Sequence, residues 1–197
     1  MIGYVKGKLL LENNGEIVLE NNGVGFSITP SAEAYKDIIA NGGGAVFTYM
    51  AVREDDISLY GFKSIEEKNM FLKLITVSGI GPKMGMTVLS NMSLTDLAVK
   101  IATSDIKGLS QVKGLGKKKA EMIIVELREK MGEELKEAKA EKSSDINLAD
   151  KDVSDALLAL TGLGFNKNEC VAVLSKAKAQ NVQGVQALIA FSLKNIR

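Results

Sequence analysis

The sequence predicts a multidomain α+β protein: a small closed β-barrel, a central helical unit built by duplication, and a small three-helix bundle. Three observations carry this. Up to Phe62, apolar residues recur at strand period between Asn-Gly turn signals. After Lys63 the period becomes helical, and one short glycine-bearing pattern occurs twice, roughly 35 residues apart. A polar, charged stretch without apolar periodicity then precedes a last set of short helical segments. The expected boundaries are 1–63 for the barrel, 64–135 for the duplicated unit, 136–150 for a flexible linker and 151–197 for the bundle.

The barrel elements follow in order. Ile2 to Leu11 is β-rich and ends at Asn13-Asn14-Gly15. Glu16 to Glu20 is a short strand, turned by Asn21-Asn22-Gly23 into Val24 to Ile28. Ser31 to Ala40 has helical spacing and stops at Asn41-Gly42-Gly43-Gly44. Ala45 to Val52 and Ile57 to Tyr60 are two more strands around Arg53-Glu54-Asp55-Asp56. Five short strands with one interposed helix suit a closed barrel of the OB type, with Tyr4, Phe26, Phe47 and Tyr49 expected in its core.

In the helical part, Ser64 with Glu67 is a capping-box pattern ahead of Met70, Phe71, Leu74 and Ile75 at helical spacing. Ser93 with Asp96 caps another helix, and helical signals continue to about Glu137. Beyond the linker, Val153 to Leu160 is an apolar helix ending at Thr161-Gly162-Leu163-Gly164-Phe165. Asn166 with Glu169 opens Val171 to Ala179, and Val185 to Ile196 is the last helix. The three form a small tethered bundle whose Gly-Leu-Gly-Phe corner resembles ubiquitin-associated-type folds.

A formal net charge of +1 hides an uneven distribution: the first 62 residues carry roughly −4 and residues 63–140 roughly +4. The basic part is densest at Lys117, Lys118 and Lys119. With no histidine, the usual general base and the commonest metal ligand are missing. Cys170 stands alone among apolar residues, which excludes a disulfide framework and a cysteine zinc site within the chain. Neither a signal peptide nor a membrane span is legible, so a cytoplasmic protein with no membrane partner is expected. No metal, cofactor or catalytic residue is predicted.

The duplication carries the chemistry. Val77-Ser78-Gly79-Ile80-Gly81-Pro82-Lys83 returns as Val112-Lys113-Gly114-Leu115-Gly116-Lys117-Lys118. Gly85 then aligns with Ala120, and Val88-Leu89 with Ile123-Ile124. Paired glycines permit a tight turn and close approach of another backbone. The residue between them, Ile80 or Leu115, can anchor the turn in a core, and Pro82 suits a first helical turn. A helix N-terminus with unpaired amides attracts phosphate, and Lys83 or Lys118 stands where its side chain reinforces that attraction. Such sites hold sugar–phosphate backbone without reading bases.

This glycine–hydrophobe–glycine pattern resembles the helix-hairpin-helix family of repair glycosylases, ligases, nucleases and junction binders. Gly79-Ile80-Gly81 with Gly85 also mimics a dinucleotide fingerprint, but it follows helical spacing, not a strand. No Gly-x-x-x-x-Gly-Lys-[Ser/Thr] loop occurs, so ATP-driven work would fall to another protein.

Over its whole length the chain resembles the RuvA family, the Holliday-junction-binding subunits of the RuvAB branch migration complex. The residues that carry the resemblance are Met1-Ile2-Gly3, Val52-Arg53-Glu54-Asp55 leading to Leu59-Tyr60-Gly61-Phe62, both glycine hairpins, and the small helical end. The resemblance implies that Gly79, Gly81, Lys83, Gly114, Gly116, Lys117 and Lys118 contact DNA arms. It implies that Glu54 and Asp55 form an acidic pin that repels phosphates at the crossover; whether Asp56 joins them is open. Implied partners are four-way junction DNA, a hexameric RuvB-type ATPase bound by the third domain, and further copies of the chain as a homotetramer or an octamer, with a junction-resolving endonuclease as another candidate.

Two other classes compete. A helix-hairpin-helix glycosylase or nuclease needs a catalytic Asp or Lys, or a metal-carboxylate cluster; Asp96 and Asp105 lie between the repeats but read better as helix-start residues. A single-strand binder wants a basic groove with exposed aromatics, against the acidic barrel with aromatics in its core expected here.

Overall fold

The computed structural model describes residues 1–137 and 150–196. The predicted linker, apart from Lys136, Glu137 and Asp150, lies outside the described residues. Contacts divide the chain into two compact units: Met1–Leu72 with Gly81–Asn91, and Lys73–Ile80 with the chain from Met92 onward.

In the first unit, β1 (Tyr4–Asn13), β2 (Glu16–Asn21), β3 (Val24–Pro30), β4 (Gly43–Val52) and β5 (Ile57–Phe62) close into a barrel in the order β1-β2-β3-β5-β4. All pairs are antiparallel except β3 with β5, where Thr29 lies opposite Tyr60. The two predicted Asn-Gly turns join β1 to β2 and β2 to β3, with Asn14, Gly15, Asn22 and Gly23 all at positive φ. Strand β1 pairs with both β2 and β4 by bending across them at Gly7. A Cβ there would sit 2.2 Å from the Glu20 carbonyl oxygen, so only glycine admits the crossing. Helix α1 (Ala32–Asn41) starts at Ser31, whose hydroxyl accepts from the Ala34 amide, and ends at Gly42 in the left-handed region.

The barrel core is aliphatic: Val5, Ile17, Leu19, Ile28, Val46 and Leu59, plugged by Ala34 and Ile38 of α1. This corrects the aromatic core expected from the sequence. Phe26 alone of the four packs against that core. Tyr49, with Tyr60 and Phe62, faces outward against Phe71 of α2 (Ile65–Ile75), at ring separations of 5.3, 5.8 and 4.8 Å. Tyr4 and Phe47 are also outside, as an edge-to-face pair. Strand period tells which residues share a face; it does not tell which face closes inward when both are apolar.

The start of α2 is the capping box predicted at Ser64 and Glu67. The Glu67 amide donates to Ser64 Oγ, and the Lys63 amide donates to Glu67 Oε2 at 2.8 Å. Burial pushes the Glu67 carboxyl up, opposed by that amide bond. Helix α3 (Pro82–Asn91) completes the first unit.

The second unit contains α4 (Leu94–Ala102), α5 (Ile106–Ser110), α6 (Gly116–Glu137), α7 (Lys151–Gly162), α8 (Lys167–Ala179) and α9 (Val185–Asn195). Helix α6 ends where helical signals fade in the sequence. The last three helices, expected as a small tethered bundle, have α7 packed on α4 and α6. Leu97, Ala98, Ile101, Ile123, Ile124, Leu127, Val153, Ala156, Leu157 and Leu160 are all buried in this unit. Asp155 of α7 is buried too, 3.1 Å from Arg128 of α6. Arg128 also donates to Ser104 Oγ at 2.6 Å, and Lys73 Nζ donates to the Gly162 carbonyl at 3.1 Å.

Candidate nucleic-acid interface

The two glycine hairpins repeat bond for bond. The Val77 amide donates to the Leu74 carbonyl and the Ile80 amide to the Val77 carbonyl, at 3.1 and 3.0 Å. At the second copy, Val112 donates to Leu109 and Leu115 to Val112, at 3.3 and 3.0 Å. Burial repeats as well: Val77 with Val112, Ile80 with Leu115, Val88 with Ile123 and Leu89 with Ile124 are all buried. Each turn is therefore pinned from below by two apolar anchors while its glycines stay exposed.

Gly79 and Gly114 take φ of 77° and 82°, which a side chain would strain. Gly81 has no such demand, and a Cβ there would meet nothing within 4 Å. What its missing side chain leaves is room for an outside group. The copies differ at one point: Gly116 is also left-handed, at 55°, and α6 begins on it, whereas α3 begins one aligned position later on Pro82.

Helices α3 and α6 are distinctive at their N-termini. Ser31, Ser64, Ser93, Asp105, Asp150 and Asn166 cap α1, α2, α4, α5, α7 and α8 through side-chain oxygens. Among the described residues no side chain accepts from the first amides of α3 or α6. Helix α9 is uncapped as well, but it opens on Val185-Gln186-Ala187 without a cation. Free amides thus coincide with ammonium groups at two places: Lys83 at α3, and Lys117, Lys118 and Lys119 at α6. Lys83 and Lys118 are exposed and, among the described residues, in no ion pair. Lys117 is 79% exposed and only 3.9 Å from Glu121, a contact of little energy.

Lys113 is a further cation that the sequence reading did not place among the candidate contacts. It is exposed on the tip of the second hairpin, at the position of Ser78 in the first, and the alignment of the two copies was the signal.

At the far end of β4, Arg53 to Asp56 forms the turn into β5, closed by the Arg53 amide donating to the Asp56 carbonyl at 2.8 Å. Asp56 turns back onto the strand, its carboxylate accepting from the Ser58 hydroxyl. Glu54 and Asp55 are exposed at the tip. Beneath them Val52 and Ile57, paired across the strands, are 64% and 68% exposed.

The acids between the repeats are structural. Asp105 caps α5, accepting from the Gly108 amide at 2.8 Å and from Lys100 at 3.1 Å, and these bonds hold its carboxyl below the usual range. Asp96 accepts from Ser93 Oγ in the first turn of α4. Among the described residues no cluster of three metal-type ligands occurs, and no helix is long and apolar enough to cross a membrane.

Comparison with known proteins covers almost the whole chain. Residues 1–61 match the family described as RuvA N terminal domain, 71–129 the SAM-like helix-hairpin-helix tandem, and 151–197 the RuvA C-terminal domain. The Holliday junction branch migration complex subunit RuvA of Acetivibrio thermocellus is 36% identical over 200 residues, covering 100% of this chain and 98% of that protein. Its namesake from Alkaliphilus oremlandii is 37% identical, covering 98% of both chains. The one from Chromobacterium violaceum is 38% identical over 182 residues, 91% of each.

Proposed function

The chain belongs to the RuvA family, and on that premise we propose that it binds four-way (Holliday) DNA junctions as a homotetramer and recruits a RuvB-type hexameric ATPase for branch migration in recombination and repair. It acts as the DNA-binding subunit in the cytoplasm and leaves ATP hydrolysis to its partner. The observation that carries this reading is the coincidence, twice in one chain, of a glycine turn, uncapped helix amides and exposed lysines. Side-chain capping of the other helices, except α9, makes that coincidence specific to the hairpins.

Each hairpin takes one stretch of phosphate backbone. The glycines let the sugar–phosphate chain approach, the first amides of α3 or α6 donate to phosphate oxygens, and the lysines neutralise charge. None of these groups reads a base, so the binding is indifferent to sequence and responds to the arrangement of arms. Glu54 and Asp55 work by the opposite sign. Their carboxylates disfavour phosphates at the tip of the β4–β5 turn, so strands pass to either side of it. Asp56 accepts from the Ser58 hydroxyl and supports the turn. The C-terminal helices α7 to α9 are the motor-binding part.

The test is a competition between a four-way junction and linear duplex of the same sequence, with native mass measured on the same sample. Strong preference for the junction by a tetramer is expected. Equal affinity for the two DNAs refutes the reading.

A further inference from the structure

We propose that the outer β1–β4 face of the barrel is a second nucleic-acid site, which takes single-stranded DNA by stacking bases on Tyr4 and Phe47 and holding phosphates at Lys6 and Lys8. The site is separate from the hairpins and does not depend on the function proposed for them. Tyr4, Lys6 and Lys8 alternate along β1 with buried Val5, so all three project to the same outer face. Phe47 lies opposite Tyr4 across the strand pair, with ring centroids 5.6 Å apart at 65°. Phe71 covers the aromatic strip at Tyr49, Tyr60 and Phe62, whereas Tyr4 is left 52% exposed.

The lysines are placed for a backbone. On β4, Lys6 and Lys8 lie opposite Ala45 and Gly43, which offer at most a methyl group to cover them, while on β2 Lys8 lies opposite Glu20. They line an open trough of about 520 Å³ with Asn21, Asn22 and Gly44. Glu20 also lines it, but its carboxylate accepts from the Gly23 amide at 2.6 Å. Among the described residues neither Lys6 nor Lys8 is in an ion pair. Aromatic faces beside free ammonium groups along one strand are the combination that binds single strands without sequence preference.

The experiment uses the full chain and a fluorescent oligothymidylate of about 15 nucleotides, a length within single-strand site sizes. Lys6→Gln with Lys8→Gln is expected to weaken oligonucleotide binding and to lower the salt slope by about 1.4, two phosphates at about 0.7 each. Tyr4→Ala is expected to weaken it roughly tenfold, the loss of one stacked base. Both leave junction affinity within about twofold while circular dichroism stays unchanged. Lys117→Gln with Lys118→Gln is expected to do the reverse, sparing the oligonucleotide and weakening the junction. Oligonucleotide affinity that ignores the barrel variants, or that follows the hairpin lysines instead, overturns the proposal. So does a Tyr4→Ala variant that changes native mass with oligonucleotide affinity intact, because the face is then covered by a second copy of the chain.

Discussion

Replacing Arg128 by Met tests whether α7 is held against α6 in solution. Asp155 is nearly buried, and Arg128 is the cation beside it, at 3.1 Å. Breaking a fully buried pair costs about 3–5 kcal/mol, but the Arg128 side chain is 41% exposed, so a smaller loss, about 2 kcal/mol, is expected. For a chain of this size that lowers the melting temperature by about 4–8 °C. The loss depends on pH in a defined sense. Burial holds the Asp155 carboxyl above its ordinary value, with Arg128 opposing. A raised value means that stability is whole below the unfolded range and falls as pH rises through the folded one. Removing Arg128 raises that value further, so the deficit is largest near neutrality and narrows on acidification, as Asp155 takes up a proton. Urea titrations across pH measure it, and Asp155→Asn in the Arg128→Met background completes a double-mutant cycle expected to show coupling of about 1–2 kcal/mol. Zero coupling, or a deficit that grows on acidification, would refute the docking of α7 on α6.

Other expectations can be checked alongside. Glu54→Gln with Asp55→Asn retains or tightens junction binding but alters strand separation, read by base-analogue fluorescence at the crossover; lost binding in a folded variant counts against the repelling tip. Lys83, Lys117 and Lys118 changed together to Gln lower the log–log salt slope of junction binding by about 2.7 per subunit, three phosphates at about 0.9 each; an unchanged slope removes them from the contact. Glu67→Gln keeps an oxygen for the Lys63 amide and removes a buried charge, so melting at pH 7 is unchanged or higher, with the gain fading at acid pH. Deleting residues 152–197 removes α7 from α4 and α6 as well as the proposed motor-binding part. Branch migration with the ATPase is then abolished and the melting temperature of the remainder falls; motor coupling that survives the deletion contradicts the assignment.

The hairpins were legible because every constraint on them is local. A positive-φ glycine, a buried anchor and a helix start lie within seven residues, and duplication exposes the pattern twice. The capping box at Ser64 and Glu67 was legible for the same reason. What escaped depends on partners distant in sequence. Asp155 sits in an apolar helix and looks like its solvent side, until α6 supplies Arg128 from 27 residues away. Tyr4 and Phe47 read as core because they are large and apolar. Only the closure of β1 on β4, with Val5 and Val46 turned inward, puts them outside. The spacing of Tyr4, Lys6 and Lys8 was visible at period two, but its meaning needed the inside of the barrel to be known.

Helix α6 presents the second hairpin's amides at one end and receives α7 along its flank. Its 22 residues make a rod of about 33 Å. Such a rod is stiff under tension. A load applied to α7 while it stays seated therefore reaches the glycine turn at the start of α6 without first drawing out slack chain, and the Arg128–Asp155 pair adds a directed bond to the apolar contact that seats α7.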